Sequence, residues 1–136
     1  MATKKIICDT DVMIDHLDAD NHRHAHTKHL LEAIIGTDNI ILSAITKMEL
    51  LIGAKDKYNL AKVNKNIHIF EITLITGEIT KSAIQLLQDY KLSHGLALPD
   101  AFIAATAQIS GWELFTYNVK DYKFIKGLTL FDLQLS

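Results

Sequence analysis

The sequence predicts an α/β fold in three layers, a mainly parallel sheet covered by helices on both faces. Three observations predict it. Short apolar runs of strand length, Ile6-Ile7-Cys8 and Ile40-Ile41-Leu42, read as buried strands. Those runs alternate along the chain with stretches of helical periodicity, the pattern of strand–helix units joined by crossovers. The first run also stops abruptly at Asp9. In an open α/β sheet, ligands bind outside the carboxyl ends of the strands, so an acid that ends a buried strand points into a crevice.

In chain order, Lys5–Cys8 is the first strand, and Val12–Leu17 is a short helix with Asp11 as its N-cap. Asp18–His24 is polar and reads as a loop. Ala25–Ile35 carries Leu30, Leu31, Ile34 and Ile35, a second helix that Gly36 stops. Asn39–Ala44 is the second strand. Thr46 opens a helix bearing Met48, Leu50, Leu51 and Ile52, ended or kinked by Gly53. Lys55–Asn66 is lysine-rich with Leu60 and Val63 spaced along it, an exposed helix. Ile67–Ile72 alternates apolar and polar residues and predicts a third, half-exposed strand. Ile79, Ala83, Leu86, Leu87 and Tyr90 recur at helical spacing, so Glu78–Leu92 is an amphipathic helix closed by Gly95. Leu98-Pro99-Asp100 opens the next helix, with Pro99 suited to its first position. From Ala101 to Ile109 this helix is apolar on nearly every face and must be buried; Gly111 stops it. Glu113–Tyr117 is a fourth strand, Asn118–Lys126 a short polar turn or helix, and Leu128–Leu133 a last strand.

The 136 residues predict a single domain, 1–136, large enough to bury a core without staples. One cysteine excludes an internal disulfide framework, and Cys8, within an apolar strand, reads as a buried inert thiol. No apolar run approaches the roughly 20 residues of a membrane span. Lys4 and Lys5 precede no long apolar stretch of the signal-peptide kind, so a cytoplasmic chain is expected. The net charge of −2 does not advertise a nucleic-acid binder. Acids gathered in one site would pull that total down, and most of the basic residues are lysines that can still form local phosphate contacts.

Four acids stand at element ends. Asp9 follows the first strand, Glu49 lies in the first turn of the helix after the second, Asp100 lies in the first turn of the buried helix, and Asp121 follows the fourth strand. In a parallel sheet with right-handed crossovers these ends share one side. Each acid also has a purely structural reading. Thr46 to Glu49 fits a capping box, Asp100 complements a helix dipole, and Asn118 to Asp121 resembles another cap. Those readings leave unexplained why Asp100 precedes so apolar a helix. Carboxylates in one crevice repel, so they take raised pKa values or hold a cation between them. Oxygen-only ligands suit Mg²⁺ or Mn²⁺. Such an ion orients and acidifies a water and neutralises a phosphoryl oxygen, which is the chemistry of phosphodiester hydrolysis.

Four motifs in order then resemble those of PIN domains. They are Ile7-Cys8-Asp9-Thr10-Asp11-Val12-Met13-Ile14-Asp15, Ser43-Ala44-Ile45-Thr46-Lys47-Met48-Glu49-Leu50, the segment from Leu98-Pro99-Asp100 to Ala107, and Phe115-Thr116-Tyr117-Asn118-Val119-Lys120-Asp121-Tyr122. The last is read in many members as Thr-x-Asn-x-x-Asp-Phe. The short length resembles VapC-type toxins of bacterial toxin–antitoxin modules. The resemblance implies a PIN-like three-layer α/β/α fold and a Mg²⁺- or Mn²⁺-dependent endoribonuclease. Asp9, Glu49, Asp100 and Asp121 are its metal ligands and catalytic acids, and the products carry 5′-phosphate and 3′-hydroxyl ends. It further implies a homodimer silenced by an antitoxin whose tail enters the acidic crevice. Asp11 stands where many members have Asn; it either adds a carboxylate to the site or caps the helix, and we read it as the cap. Asn118 occupies a position that is Asp in some members, so Asp121 is taken as the fourth acid. Thr116, Asn118, Lys47, Lys120 and Lys123 are candidate substrate contacts.

Rival readings are weaker. His22, His24, His26 and His29 cluster, but no cysteine or acid at matching spacing joins them, so they read as a solvated helix face. Asp9-Thr10-Asp11 resembles the opening of haloacid-dehalogenase phosphatases, yet Gly95 precedes Asp100 by five residues and no acid follows before Glu113. A non-catalytic PIN-fold module that binds RNA or protein would not require the full set of acids.

Overall fold

The computed structural model describes residues 4–132. The strands are β1 (Ile6–Cys8), β2 (Ile40–Ser43), β3 (Glu71–Thr73) and β4 (Glu113–Phe115), and the helices are α1 (Thr10–Leu17), α2 (His24–His29), α3 (Ala44–Ile52), α4 (Lys57–Ile67), α5 (Gly77–His94) and α6 (Leu98–Ser110). The strands form one sheet in the order β3-β2-β1-β4, and every pairing is parallel.

The apolar runs work as buried strands because the pleat sends alternate residues to two separate cores. Ile6 and Cys8 join Val12, Met13, Leu30, Leu31 and Phe115 on one face. Ile7 joins Ile79, Leu86, Ile103, Ala104 and Leu114 on the other. Helices α5 and α6 cover this second face, and the small buried residues Ala101, Ala104, Ala105 and Ala107 of α6 let it approach closely; the helix is not buried on every side as expected, since Phe102 and Gln108 are half-buried and Ile109 is exposed. Each fully buried large aliphatic side chain here contributes about 2 kcal/mol relative to exposure. Among the described residues no helix is long and apolar enough to cross a membrane.

The chain steps from β1 to β2 to β3 and then returns across the sheet to lay β4 on the far side of β1. The strand order therefore reverses between β1 and β4, the switch point at which open α/β sheets form their crevice. The β1 end and the β4 end are joined there: Asp9 N–H donates to the Phe115 carbonyl at 2.9 Å.

Several boundaries differ from the sequence expectation, each for a local reason. Helix α1 starts at Thr10 and not at Val12, because Asp9 is its N-cap; Asp11 lies inside its first turn. Helix α3 starts at Ala44, capped by the Ser43 hydroxyl, which accepts from Ile45 N–H, so Thr46 to Glu49 forms no capping box and the Glu49 carboxylate is left for other partners. Residues 67–70 are not a strand. Ile67 and Phe70 are both buried and Ile69 is exposed, a turn-like spacing that closes α4, and the edge strand begins only at Glu71. Pro99 takes the second helical position, after Leu98, with Ala97 as N-cap. His24–His29 is already helical and continues as a π-helical turn over Leu30–Ile35, which Gly36 ends at φ 92°. Strand β4 stops at Phe115, where Thr116 and Tyr117 turn to side-chain partners. Of the expected last strand, Leu130 makes a single parallel bridge to Leu114; Leu133 lies outside the described residues.

Candidate active site

Asp9 is the centre of the crevice. Its backbone is still extended (φ −69°, ψ 160°), so its side chain continues the strand alternation onto the Ile7 face, toward α6. It is 5% exposed. Its Oδ1 accepts from Thr10 N–H at 2.7 Å and its Oδ2 from the Thr116 hydroxyl at 2.9 Å. Thr116 is itself buried, and its Oγ1 accepts from Asn118 N–H at 3.0 Å, so the turn after β4 is fixed to the end of β1.

Burial pushes the Asp9 carboxyl up, while hydrogen bonds from Thr116, Thr10 and Tyr122 pull it down and the charge of Glu49 pushes it up again. Asp100, in the first turn of α6, is raised to about 6. Burial is the largest cause, the Tyr122 hydrogen bond opposes it, and the charges of Asp9, Asp121 and Glu49 add to the rise. The four acids thus act on one electrostatic environment although they come from four distant segments.

Because α3 opens at Ala44 and not at Thr46, Glu49 lies in its second turn and not its first; it accepts from the Thr10 hydroxyl at 2.7 Å, and Thr10 Oγ1 also lies 3.1 Å from Thr46 Oγ1, which is buried. Asp121 sits in a short 3-10 turn over Val119–Asp121. Tyr122 follows it, 1% exposed, and donates its hydroxyl to Asp100 Oδ1 at 3.0 Å. Burial and the adjacent carboxylates push the Tyr122 phenol far up, so it remains a donor.

The other predicted contacts lie farther out. Lys47 is half-buried, and Asn118, Lys120 and Lys123 are exposed beside the crevice turn. Asp11 has a role beyond its own helix. Its Oδ1 accepts from Val12 N–H at 2.8 Å and its Oδ2 from Tyr117 N–H at 3.1 Å, and it is raised to about 6, by burial first and then by the charge of Asp9. His22, His26 and His29 are exposed, whereas His24 turns inward, its Nδ1 3.1 Å from the Asp15 carbonyl oxygen.

Three hydroxyl groups of the site escaped the sequence reading: Thr10, Thr46 and Tyr122. The threonines carry no signal of their own. Tyr122 does, because a hydroxyl-bearing ring stands where the motif in many PIN domains ends in Phe.

The donor set is all oxygen, clustered and mutually repelling, which fits a hard divalent cation. Among the described residues no three His, Cys, Asp or Glu side chains converge in a geometry that holds an ion as they stand. Rotation of the Glu49 and Asp121 side chains toward Asp9 and Asp100 would have to complete the set.

A family model described as PIN domain matches residues 6–125. Ribonuclease VapC1 of Methanocaldococcus jannaschii is 30% identical over 132 residues, spanning 94% of this chain and 88% of that one. A chain of a toxin–antitoxin complex from Klebsiella pneumoniae superposes with a TM-score of 0.73 at 33% identity, over 92% of this chain and 96% of that chain. A chain of the DNA-bound VapBC complex from Salmonella typhimurium shares the fold, with a TM-score of 0.77 at 24% identity over 96% and 98% of the two chains.

Proposed function

The chain belongs to the PIN-domain family, in its VapC branch, and from that premise we propose that it is a metal-dependent endoribonuclease, the toxin of a toxin–antitoxin pair. In this reading residues 1–136 act as one nuclease domain in the cytoplasm. The observation that carries it is the pair Asp9 and Asp100, half-buried or buried at the sheet's switch point, each pushed toward protonation by burial and by the other acids.

Asp9, Glu49, Asp100 and Asp121 would hold Mg²⁺ or Mn²⁺. When bound, such an ion supplies charge neutralisation at the phosphate and an acidified water. Asp9 is the fixed ligand, because Thr10 N–H and the Thr116 hydroxyl immobilise its two oxygens. Glu49 or Asp121 would steer the attacking water and accept its proton as the water's oxygen bonds to phosphorus and the bond to the leaving 3′-oxygen breaks. Lys120, Lys123 and Asn118, exposed beside the crevice turn, and half-buried Lys47 contact the RNA, with Thr116, bonded to Asp9, nearest the acids. The 30%-identical relative is named a ribonuclease, which supports RNA as the substrate.

An antitoxin is the proposed partner. One solved structure with this fold is a toxin–antitoxin complex and another is a DNA-bound VapBC, which supports that reading. Beside Glu49 a groove of about 580 Å³ runs between α1, α3 and α4 over an apolar floor that includes Ile14, Leu17, Leu50 and Val63, and a partner segment seated there would block the crevice. The chain is also proposed to form a homodimer, which a monomeric mass in solution would exclude.

The deciding experiment is cleavage of mixed single-stranded and structured RNA by the purified chain with Mg²⁺, with Mn²⁺ and with chelator, beside Asp9→Asn. Metal-dependent cleavage lost in the variant is the expected result. Cleavage that survives chelator, or persists in Asp9→Asn, refutes the proposal.

A further inference from the structure

We propose that Tyr122 is a positioning residue for the metal-binding acids, through its hydroxyl and not through its ring. The inference rests on the reading of Asp9 and Asp100 as ligands.

Many PIN domains carry Phe at this motif position, and Phe would fill the same apolar space. Tyr122 packs against the core that includes Ala101, Ala104 and Leu114, and it is 1% exposed. A hydroxyl added there needs a partner, since an unpaired buried hydroxyl is costly. It finds one at Asp100 Oδ1, 3.0 Å away, and it acts on Asp9 as well. The two acids differ in how they are held. Asp9 has further donors, Thr10 N–H and the Thr116 hydroxyl. At Asp100 the hydrogen bond to its carboxylate comes from Tyr122. With Oδ1 engaged, the carboxylate plane is set and Oδ2 is left for an ion.

Donors behind a ligating carboxylate orient it, and their loss characteristically costs about 10- to 100-fold in metal affinity or activity. The phenol thus supplies what an apolar ring cannot: it fixes the torsion of Asp100 relative to Asp9 before the ion arrives, so the ion need not order it.

The test is calorimetric titration of Mn²⁺ into the chelator-stripped chain, into Tyr122→Phe and into Tyr90→Phe. Tyr90 is the control: it lies on α5, which carries none of the four acids, and its hydroxyl accepts from Lys126 N–H. Thermal melting without metal checks that each variant folds. The expected result is about tenfold weaker Mn²⁺ binding in Tyr122→Phe, with Tyr90→Phe unchanged. Equal or tighter binding in Tyr122→Phe overturns the inference and leaves the site reading standing. Absence of Mn²⁺ binding by the unsubstituted chain overturns the site reading and this inference with it.

Discussion

Asp100→Asn in the metal-free chain should raise stability, and should do so only above a particular pH. The folded carboxyl is raised from 3.8 to about 6. At about 1.4 kcal/mol per pH unit this sets an upper figure of ~3 kcal/mol against the charged form. Asp100 is only half-buried, and solvent screening reduces that to roughly 1.5 kcal/mol. Attraction to the N-terminus of α6 returns about 0.5 kcal/mol to the carboxylate. The net gain for the neutral, isosteric amide is then ~1 kcal/mol, or about 3–5 °C in Tm for a chain of this size. Asparagine keeps an oxygen that accepts from Tyr122, so the hydrogen bond survives.

The pH dependence follows from the direction of the shift. Because the folded pKa lies above the unfolded one, the folded chain holds the Asp100 proton more tightly. The stability this confers is complete below about pH 4 and is lost as pH rises through about 6. The two proteins should melt together near pH 4 and separate above pH 6, with the variant higher. The assay is thermal melting by circular dichroism in chelator across that range. A variant that melts lower at high pH, or a gap that does not change with pH, refutes the reasoning.

Asp9→Asn should lower RNA cleavage on the order of 100-fold or more while the circular dichroism spectrum is kept, since even outer partners of metal ligands cost up to that much; an unchanged rate in a cleavage assay removes Asp9 from the site. Thr116→Val strips the donor from buried Asp9 Oδ2, and urea melts should show a loss of about 1–3 kcal/mol. Arg23→Ala leaves the 2%-exposed Asp15 without the guanidinium 2.7 Å from its Oδ2. A cost of about 2 kcal/mol is expected in the same melts, below that of a fully buried pair because Arg23 is partly exposed.

The fold was legible where one local pattern dictated one environment. Ile6 to Cys8 and Ile40 to Leu42 could only be strands buried on both faces, and Ala101 to Ala107 could only be a helix inside the protein. What was not legible depended on tertiary geometry. Asp9 caps α1 because the strand ends in the extended conformation a cap needs, and no composition rule distinguishes it from Asp11 two residues on. The Ile67 and Ile69 alternation looks like a strand, yet Phe70 decides the segment by burying itself three residues after Ile67. The acids announced themselves by standing at element ends. The hydroxyls that hold them did not, because a threonine is ordinary in any turn and only its distance to Asp9 or Glu49 gives it meaning.

Strand β1 is made first and lies inside the sheet, with β4 as one of its neighbours. Its hydrogen bonds on that side, and the threonine that locks Asp9, arrive only with residues 113–116. A nascent chain lacking them has an open sheet edge and no assembled crevice. Such long-range parallel pairing is slow to form. If the proposed nuclease reading holds, a fragment ending before Glu113 should cleave no RNA, because it lacks both the strand beside β1 and the threonine that holds Asp9.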